Sequence, residues 1–176
     1  LTRVRTLLPG DSDPETGLPY LAALVNQEVC SLDEPLTFTS EVTPLTFQDR
    51  HGSRGYRRTL CFLLARAVFS CFPDATFRIE HSLGNAFYCA FSVNGNTGIR
   101  STELDCIRGT LTASVEEGLP IVRRALSFAE AETRLKEQGL DDKLNLLQYR
   151  NPPSIPLFEC EGYADAGLGV LAPSSA

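Results

Sequence analysis

The residues Tyr56–Cys71 form the longest periodic apolar run in the chain, and they constrain the fold more than any other stretch. Apolar side chains recur there at helical spacing, at Leu60, Leu63, Leu64, Ala67, Val68 and Cys71. The polar residues 49–55 precede the run, and Pro73 follows it. The pattern predicts a loop over 49–55 and then a central helix that packs against a sheet.

The rest of the chain alternates short strands with helices. Hairpin patterns occupy 76–82 and 86–93, and a second helix is predicted from Thr102 to Gly118. Ser127 with Glu130 has capping-box spacing and opens another helix, and 141–149 is predicted to be a shorter one. The order predicts an α+β fold, in which an antiparallel sheet has helices packed on one face.

Composition narrows the class of protein. The chain has 176 residues, of which 43% are hydrophobic, and a net charge of -6, which argues against a general nucleic-acid binder. We find no run long enough to span a membrane and no secretory leader. Six scattered cysteines without close pairs indicate reduced thiols in a cytoplasmic protein, with a disulfide framework as the weaker alternative. Because the chain starts at Leu1 and lacks Met, we expect it to be part of a longer protein.

Basic residues are concentrated just before and at the start of the central helix. Four arginines and one histidine lie there, namely Arg50, His51, Arg54, Arg57 and Arg58. The simplest interpretation is a solvated loop and helix face. The alternative is a local phosphate or carboxylate site at a helix N-terminus.

Motif searches exclude several kinds of site. The two lysines, Lys136 and Lys143, do not follow glycine, so the chain has no phosphate-binding loop of the G-x-x-x-x-G-K-[ST] type. Only His51 and His81 are present, and the cysteine spacing gives no support for a metal site. Lys143 is most simply part of a charged helix face, or alternatively a cation that positions a carbonyl or phosphate.

Several motifs resemble the amino-terminal region of threonyl-tRNA synthetase, which has a TGS-type β-rich module followed by an editing-type additional domain. Residues 58–68 (RTLCFLLARAV) stand where that family has an HSTAH-like sequence followed by LLAQAV. Residues 86–88 (AFY) resemble its NGFYY segment, and 142–143 (DK) keep its order. The resemblance implies a short β-rich TGS-like segment over 1–50 and an additional-domain-like α+β domain over 51–176.

The same motifs also resemble the region that precedes the kinase in uridine kinase-like proteins. Residues 56–64 (YRRTLCFLL), 81–89 (HSLGNAFYC) and 169–176 (GVLAPSSA) match that region in order. This resemblance implies a non-catalytic ligand-binding or regulatory module of a uridine kinase. Its partner would be its own C-terminal kinase domain, and that absent domain would use ATP and Mg²⁺. The module itself would need no cofactor. The expected ligand is a nucleotide or nucleoside. Binding to nucleic acid or to a membrane is not expected.

The departures from the synthetase pattern concern its editing chemistry. The two histidines of HxxxH are replaced by Arg58 and Phe62, and the cysteine and histidine of CxxxH are replaced by Gly167 and Leu171. A second frame keeps Cys160 but places Ala164 at the histidine. The resemblance thus implies no metal site and no catalytic residue of that type. The alternatives left open are a degenerate editing-type hydrolase, a tRNA-binding domain and a structural scaffold.

Polar residues near these positions define a candidate ligand site. Lys143 and Asp165 match polar positions around the editing cleft, and the start of the central helix adds two arginines. The predicted ligand-binding set is Arg57, Arg58, His81, Tyr88, Lys143 and Asp165.

Overall fold

A computed structural model describes residues 1–147, 154–167 and 169–176. The helices are α1 (Arg50–Cys71), α2 (Ser101–Glu117), α3 (Phe128–Glu137) and α4 (Asp141–Leu147), and a 3₁₀ helix spans Val4–Leu7. The strands are β1 (Thr2–Arg3), β2 (Ala22–Val25), β3 (Glu28–Cys30), β4 (Pro35–Leu36), β5 (Val42–Leu45), β6 (Thr76–Leu83), β7 (Ala86–Val93), β8 (Asn96–Thr97), β9 (Val122–Leu126), β10 (Ile155–Cys160) and β11 (Tyr163–Ala166).

The described strands pair in antiparallel sheets. Their orders are β1-β4, β3-β2-β5, β6-β7-β8 and β11-β10-β9. The α+β class predicted from the sequence, with antiparallel sheets and packed helices, is therefore confirmed. None of the described helices is long and apolar enough to cross a membrane.

The chain divides into two compact units. The first unit contains Leu1–Thr59 and Pro120–Ser174, and the second contains Leu60–Leu119 and Ser175–Ala176. Helix α1 contributes its first turns to the first unit and the remainder to the second. The domain boundary predicted after residue 50 stays a prediction.

In the first unit, α3 and α4 cover the sheet β11-β10-β9. Ala131 and Leu135 of α3 pack with Leu157 of β10 and Ala164 of β11, and all four are buried. The alternation of β10 places Ile155 and Leu157 on this face, as period-two geometry requires. A second cluster, around Val4 and Ala23, supports the N-terminal strands.

In the second unit, one face of α1 packs against α2 and the hairpin β6-β7. Ala67 and Val68 of α1 and Ile107 of α2 are buried together with Ala75, and Phe77 and Phe91 of the hairpin pack on them. Leu104 and Val115 of α2 are apolar but exposed. Glu103 and Ser114 are buried in their place.

Capping explains where the helices begin. Ser127 Oγ accepts from Glu130 N, and Glu130 Oε2 accepts from Ser127 N at 2.9 Å, so the predicted capping box of α3 is confirmed. Helix α2 begins at Ser101 rather than Thr102. Its box pairs Arg100 with Glu103, whose carboxylate accepts from Arg100 N at 2.8 Å.

Two elements differ from the sequence predictions. The residues predicted to form a loop over 49–55 are mostly helical, because α1 begins at Arg50. No helix or strand was assigned from the sequence to the tail after Gly162, which forms β11. Glu161 and Gly162 both have positive φ and turn the chain back along β10. The predicted end of α4, at residues 148–149, lies outside the described residues.

The β10 core provides a test of the packing. Leu157 is fully buried, so we expect Leu157→Ala to lower the free energy of unfolding by about 2–5 kcal/mol. Leu146→Ala is the matched control, since Leu146 is 64% exposed and its truncation should cost no more than about 0.5 kcal/mol. Urea unfolding of both variants measures the difference. Equal losses would contradict the assignment of Leu157 to the core.

Candidate functional site

The first turns of α1 hold a C-terminal segment, residues 169–173, through one buried hydroxyl. Thr59 Oγ1 donates to Gly55 O at 2.9 Å and accepts from Ala172 N at 2.8 Å. An ideal Cβ at Gly55 would lie 3.5 Å from Val170 O, an ordinary van der Waals distance, so the segment lies directly alongside the helix. The segment is thereby fixed along the helix.

Arg58 lies beside this segment. Its guanidinium occupies the space that a Cβ at Gly169 would need, and Gly169 has a φ of +99°. The backbone conformation therefore favours glycine at 169, and a side chain there would also require the Arg58 guanidinium to shift. Arg58 is exposed, so its charge can reach a ligand in solvent.

The resemblance aligned Arg58, Phe62, Gly167 and Leu171 with the histidine and cysteine positions of the editing motifs, and the structure shows the surroundings of the last three. Phe62 and Leu171 are buried and carry no polar group, and Gly167 has no side chain. A Cβ at Gly167 would lie 3.1 Å from the ring of Phe158, so even a small side chain needs that ring to move. In the second frame, Cys160 is 1% exposed and Ala164 is 3% exposed.

Lys143 of α4 and Asp165 of β11 form an ion pair. Lys143 Nζ lies 3.3 Å from Asp165 Oδ1, which is buried and accepts no directed hydrogen bond from the described residues. Burial raises the pKa of Asp165, and the positive charge of Lys143 partly offsets that rise. Burial, followed by the charge of Asp165, also raises the pKa of Tyr163.

The predicted site residues are divided between the two units. Arg57, Arg58, Lys143 and Asp165 lie in the first unit, where Arg57 is half-buried. His81 and Tyr88 lie in the second and are cross-strand partners in the hairpin β6-β7. Their rings stack with centroids 5.0 Å apart and planes inclined by 21°.

Two residues of this region were missed at the sequence level. Thr59 was included only within the helix motifs at 56–64 and 58–68, and Gly169 only within the segment 169–176. A Thr in the first turns of a helix gives no local signal for a partner more than a hundred residues away. The glycine could have been noticed as a position that needs positive φ. Among the described residues, no group of three or more His, Cys, Asp or Glu side chains is placed to hold a metal ion.

The chain is similar to threonine–tRNA ligases. It is 30% identical over 156 residues to the enzyme of Clostridioides difficile and 31% identical over the same length to that of Desulforamulus reducens. Each match covers 88% of this chain and 24% of the relative, so the chain spans about a quarter of the length of these curated relatives. The threonine–tRNA ligase 1 of Bacillus subtilis is 29% identical over 156 residues. No protein-family model matches the chain.

These relatives correct several predictions. They support the synthetase part of the resemblance, and the uridine kinase part is wrong because the relatives are named as tRNA ligases. The predicted kinase-domain partner, with its ATP and Mg²⁺, depended on the uridine kinase resemblance and is therefore no longer supported. The exclusion of nucleic acid is also wrong, since the relatives' names specify tRNA.

The double role of the Thr59 hydroxyl can be measured. Thr59→Val keeps the shape but leaves the buried Ala172 N–H without an acceptor, so we expect a loss of about 1–3 kcal/mol in unfolding free energy. Thr133→Val is the matched control, because Thr133 makes the same bond to the carbonyl four residues earlier but is exposed. That control should cost no more than about 0.5 kcal/mol. Similar losses in the two variants would show that the Ala172 contact contributes nothing.

The raised pKa of Asp165 predicts a sign for the pH dependence. In the folded chain the Asp165 carboxyl keeps its proton to a pH above its ordinary pKa of 3.8. Ionisation of Asp165 therefore costs stability as pH rises through 3.8. We expect the unfolding free energy of the wild type, relative to Asp165→Asn, to fall as pH rises from 3.8. Relative to Asp13→Asn, the unfolding free energy of the wild type should instead rise with pH over the acidic range, because a backbone hydrogen bond from Thr16 lowers the pKa of Asp13. Thermal melts across acidic pH provide the measurement, and parallel curves for wild type and Asp165→Asn would refute the assignment.

Proposed function

We propose that this chain is a tRNA-binding module of the threonyl-tRNA synthetase editing type, and that it holds the acceptor end of a tRNA without hydrolysing the attached amino acid. The support from relatives is the similarity to threonine–tRNA ligases over 88% of the chain. Because the chain spans only about a quarter of those relatives, ligation itself is not assigned to it.

The observation that carries the proposal is the chemistry of the four replaced positions. Hydrolysis of an ester needs a nucleophile or a general base within reach of it. Arg58 carries a guanidinium, which has donors and no acceptor, and Phe62, Gly167 and Leu171 have no titratable side chain, so none of the four offers a nucleophile or a base. This chain resembles the editing domain of threonyl-tRNA synthetase in fold class, and it lacks the histidine and cysteine side chains of that domain's motifs.

The candidate residues have chemistry suited to such a ligand. Arg57 and Arg58 would contact phosphates, and the Lys143–Asp165 pair would contact polar groups of the terminal nucleotide or its amino acid. In the second unit, Tyr88 stacked on His81 offers an exposed ring face for a base. These roles are proposals, as is the division into a TGS-like segment and an additional-domain-like domain. The cytoplasmic location predicted from the sequence stays a prediction.

Residual hydrolysis is the second candidate. It is favoured by one specific observation, the buried Asp165 carboxylate beside Lys143, whose pKa is raised by burial. A carboxylate with a raised pKa is a better general base than an ordinary one. In that case Asp165 would activate water, and Lys143 would stabilise the charge that develops on the substrate.

Binding and hydrolysis measured together test the proposal. Fluorescence anisotropy with a threonine tRNA should show binding. Arg58→Ala should weaken it about five- to tenfold through the loss of one charge-assisted contact. Arg108→Ala is the control, since Arg108 is exposed and paired with Asp105 on α2. Release of serine from Ser-tRNA should stay at the uncatalysed rate.

Two results would contradict the proposal in different ways. Absence of tRNA binding by the wild type would remove the tRNA-binding function altogether. Hydrolysis of Ser-tRNA above background, abolished by Asp165→Asn, would instead establish the second candidate.

A further inference from the structure

We infer that Arg50, Arg54 and Arg58 form a row on the solvent face of α1 that binds the phosphate backbone of RNA. This inference rests on the proposed tRNA-binding function and identifies the surface that would contact the tRNA. It concerns the three side chains along the helix and does not depend on the helix terminus alone.

The geometry of α1 creates the row. Residues four apart are neighbours on one side of a helix, separated by about 6 Å along its axis, so the three arginines follow one another in line. All three are exposed, while Gly52, Gly55 and Thr59 on the opposite side are buried. A Cβ at Gly52 would overlap Thr46 O, so that side of the helix is closed to any ligand.

The charges of the row are not neutralised by the described parts of the protein. Arg50, Arg54 and Arg58 make no ion pair or hydrogen bond with other described residues. The nearest acid in the sequence, Asp49, directs its carboxylate to Thr46, whose N–H donates to Oδ2 at 2.7 Å. Many other arginines are paired with carboxylates, namely Arg3, Arg5, Arg100, Arg108, Arg123, Arg124 and Arg134.

Arg50, the first residue of the row, also opposes local helix stability. The first turn of α1 has no acidic residue, although the positive end of a helix dipole favours acids and disfavours cations there. A chain with net charge -6 thus places a cation that has no ion pair with other described residues where it costs stability. Such a local conflict is expected where a binding function requires the residues.

A regular row of arginines fits a polyanion with regularly repeated charges. RNA carries one phosphate per nucleotide, and arginines that neutralise phosphates release counterions. The contact carries no sequence information, so it would position a tRNA rather than select its bases. Arg58 would be shared between the row and the candidate site, which places the row next to that site.

The experiment compares two variants of equal charge. Arg50→Gln/Arg54→Gln removes two members of the row. Arg3→Gln/Arg108→Gln removes two exposed arginines that are paired with Asp33 and Asp105, and both variants change the net charge from -6 to -8. Binding to a transcript of threonine tRNA is measured by anisotropy between about 50 and 200 mM salt.

The row predicts a change in salt dependence. Loss of two phosphate contacts should reduce the slope of log K against log salt by about 1.5, so the wild type loses about tenfold more affinity across this range than Arg50→Gln/Arg54→Gln. The control variant should keep the wild-type slope, and Arg50→Lys/Arg54→Lys should keep most of it. The thermal midpoint of Arg50→Gln/Arg54→Gln should be unchanged or raised, which separates lost binding from lost folding.

The outcomes separate this inference from the proposed function. If the wild type binds tRNA and Arg50→Gln/Arg54→Gln binds with the same slope, the row is refuted while the tRNA-binding function stands. If the wild type does not bind tRNA, both fail. If polyglutamate or phosphatidylserine vesicles bind more tightly than tRNA and lose affinity with Arg50→Gln/Arg54→Gln, the row serves an acidic protein or membrane instead, and the inference is overturned.

Discussion

The close approach of α1 to its neighbours in the first unit is the constraint on which the candidate site depends. Gly52 lets the helix backbone lie against Thr46 O, which a Cβ would overlap, and a Cβ at Gly55 would be in ordinary van der Waals contact with Val170 O. Thr59 completes the contact by joining Gly55 O and Ala172 N through one hydroxyl. With this side of the helix packed against protein backbone, the opposite side is left for charged residues in solvent.

The same helix therefore has two kinds of environment along its length. In the first unit the helix packs through Gly52 and Thr59, Tyr56 makes an edge-to-face contact with Phe47, and the exposed side is cationic. In the second unit Ala67 and Val68 are buried in a core shared with α2 and β6-β7, and the buried Arg66 donates to Ser114 Oγ at 2.6 Å. The exposed arginines of α1 therefore all lie in the part of the helix that belongs to the first unit.

The candidate site was only partly accessible from sequence. The resemblance identified Arg58, Phe62, Gly167 and Leu171 as replacements, and it selected Lys143 and Asp165, which the structure pairs. It could not show that Phe62 and Leu171 are buried or that Arg58 lies over Gly169, because those facts depend on contacts across the chain. The resemblance was misleading about the kinase, since short motifs shared by two families do not distinguish them. The similarity to a threonine–tRNA ligase covers 88% of the chain and therefore favours the synthetase.

Sequence alone determined the α+β class, the β6-β7 hairpin and the capping box at Ser127, because alternation, turn residues and capping spacing are local properties. The resemblance read from the sequence also predicted which editing groups are missing, since residue types can be compared without a structure. Tertiary structure alone decided that residues 50–55 are helical, because Gly52 serves close packing against Thr46 O and not a loop. It also decided that β11 pairs with β10 and that Arg50, Arg54 and Arg58 stand in one row with no ion pair to other described residues. These features depend on which distant groups come into contact, and local sequence patterns do not specify that.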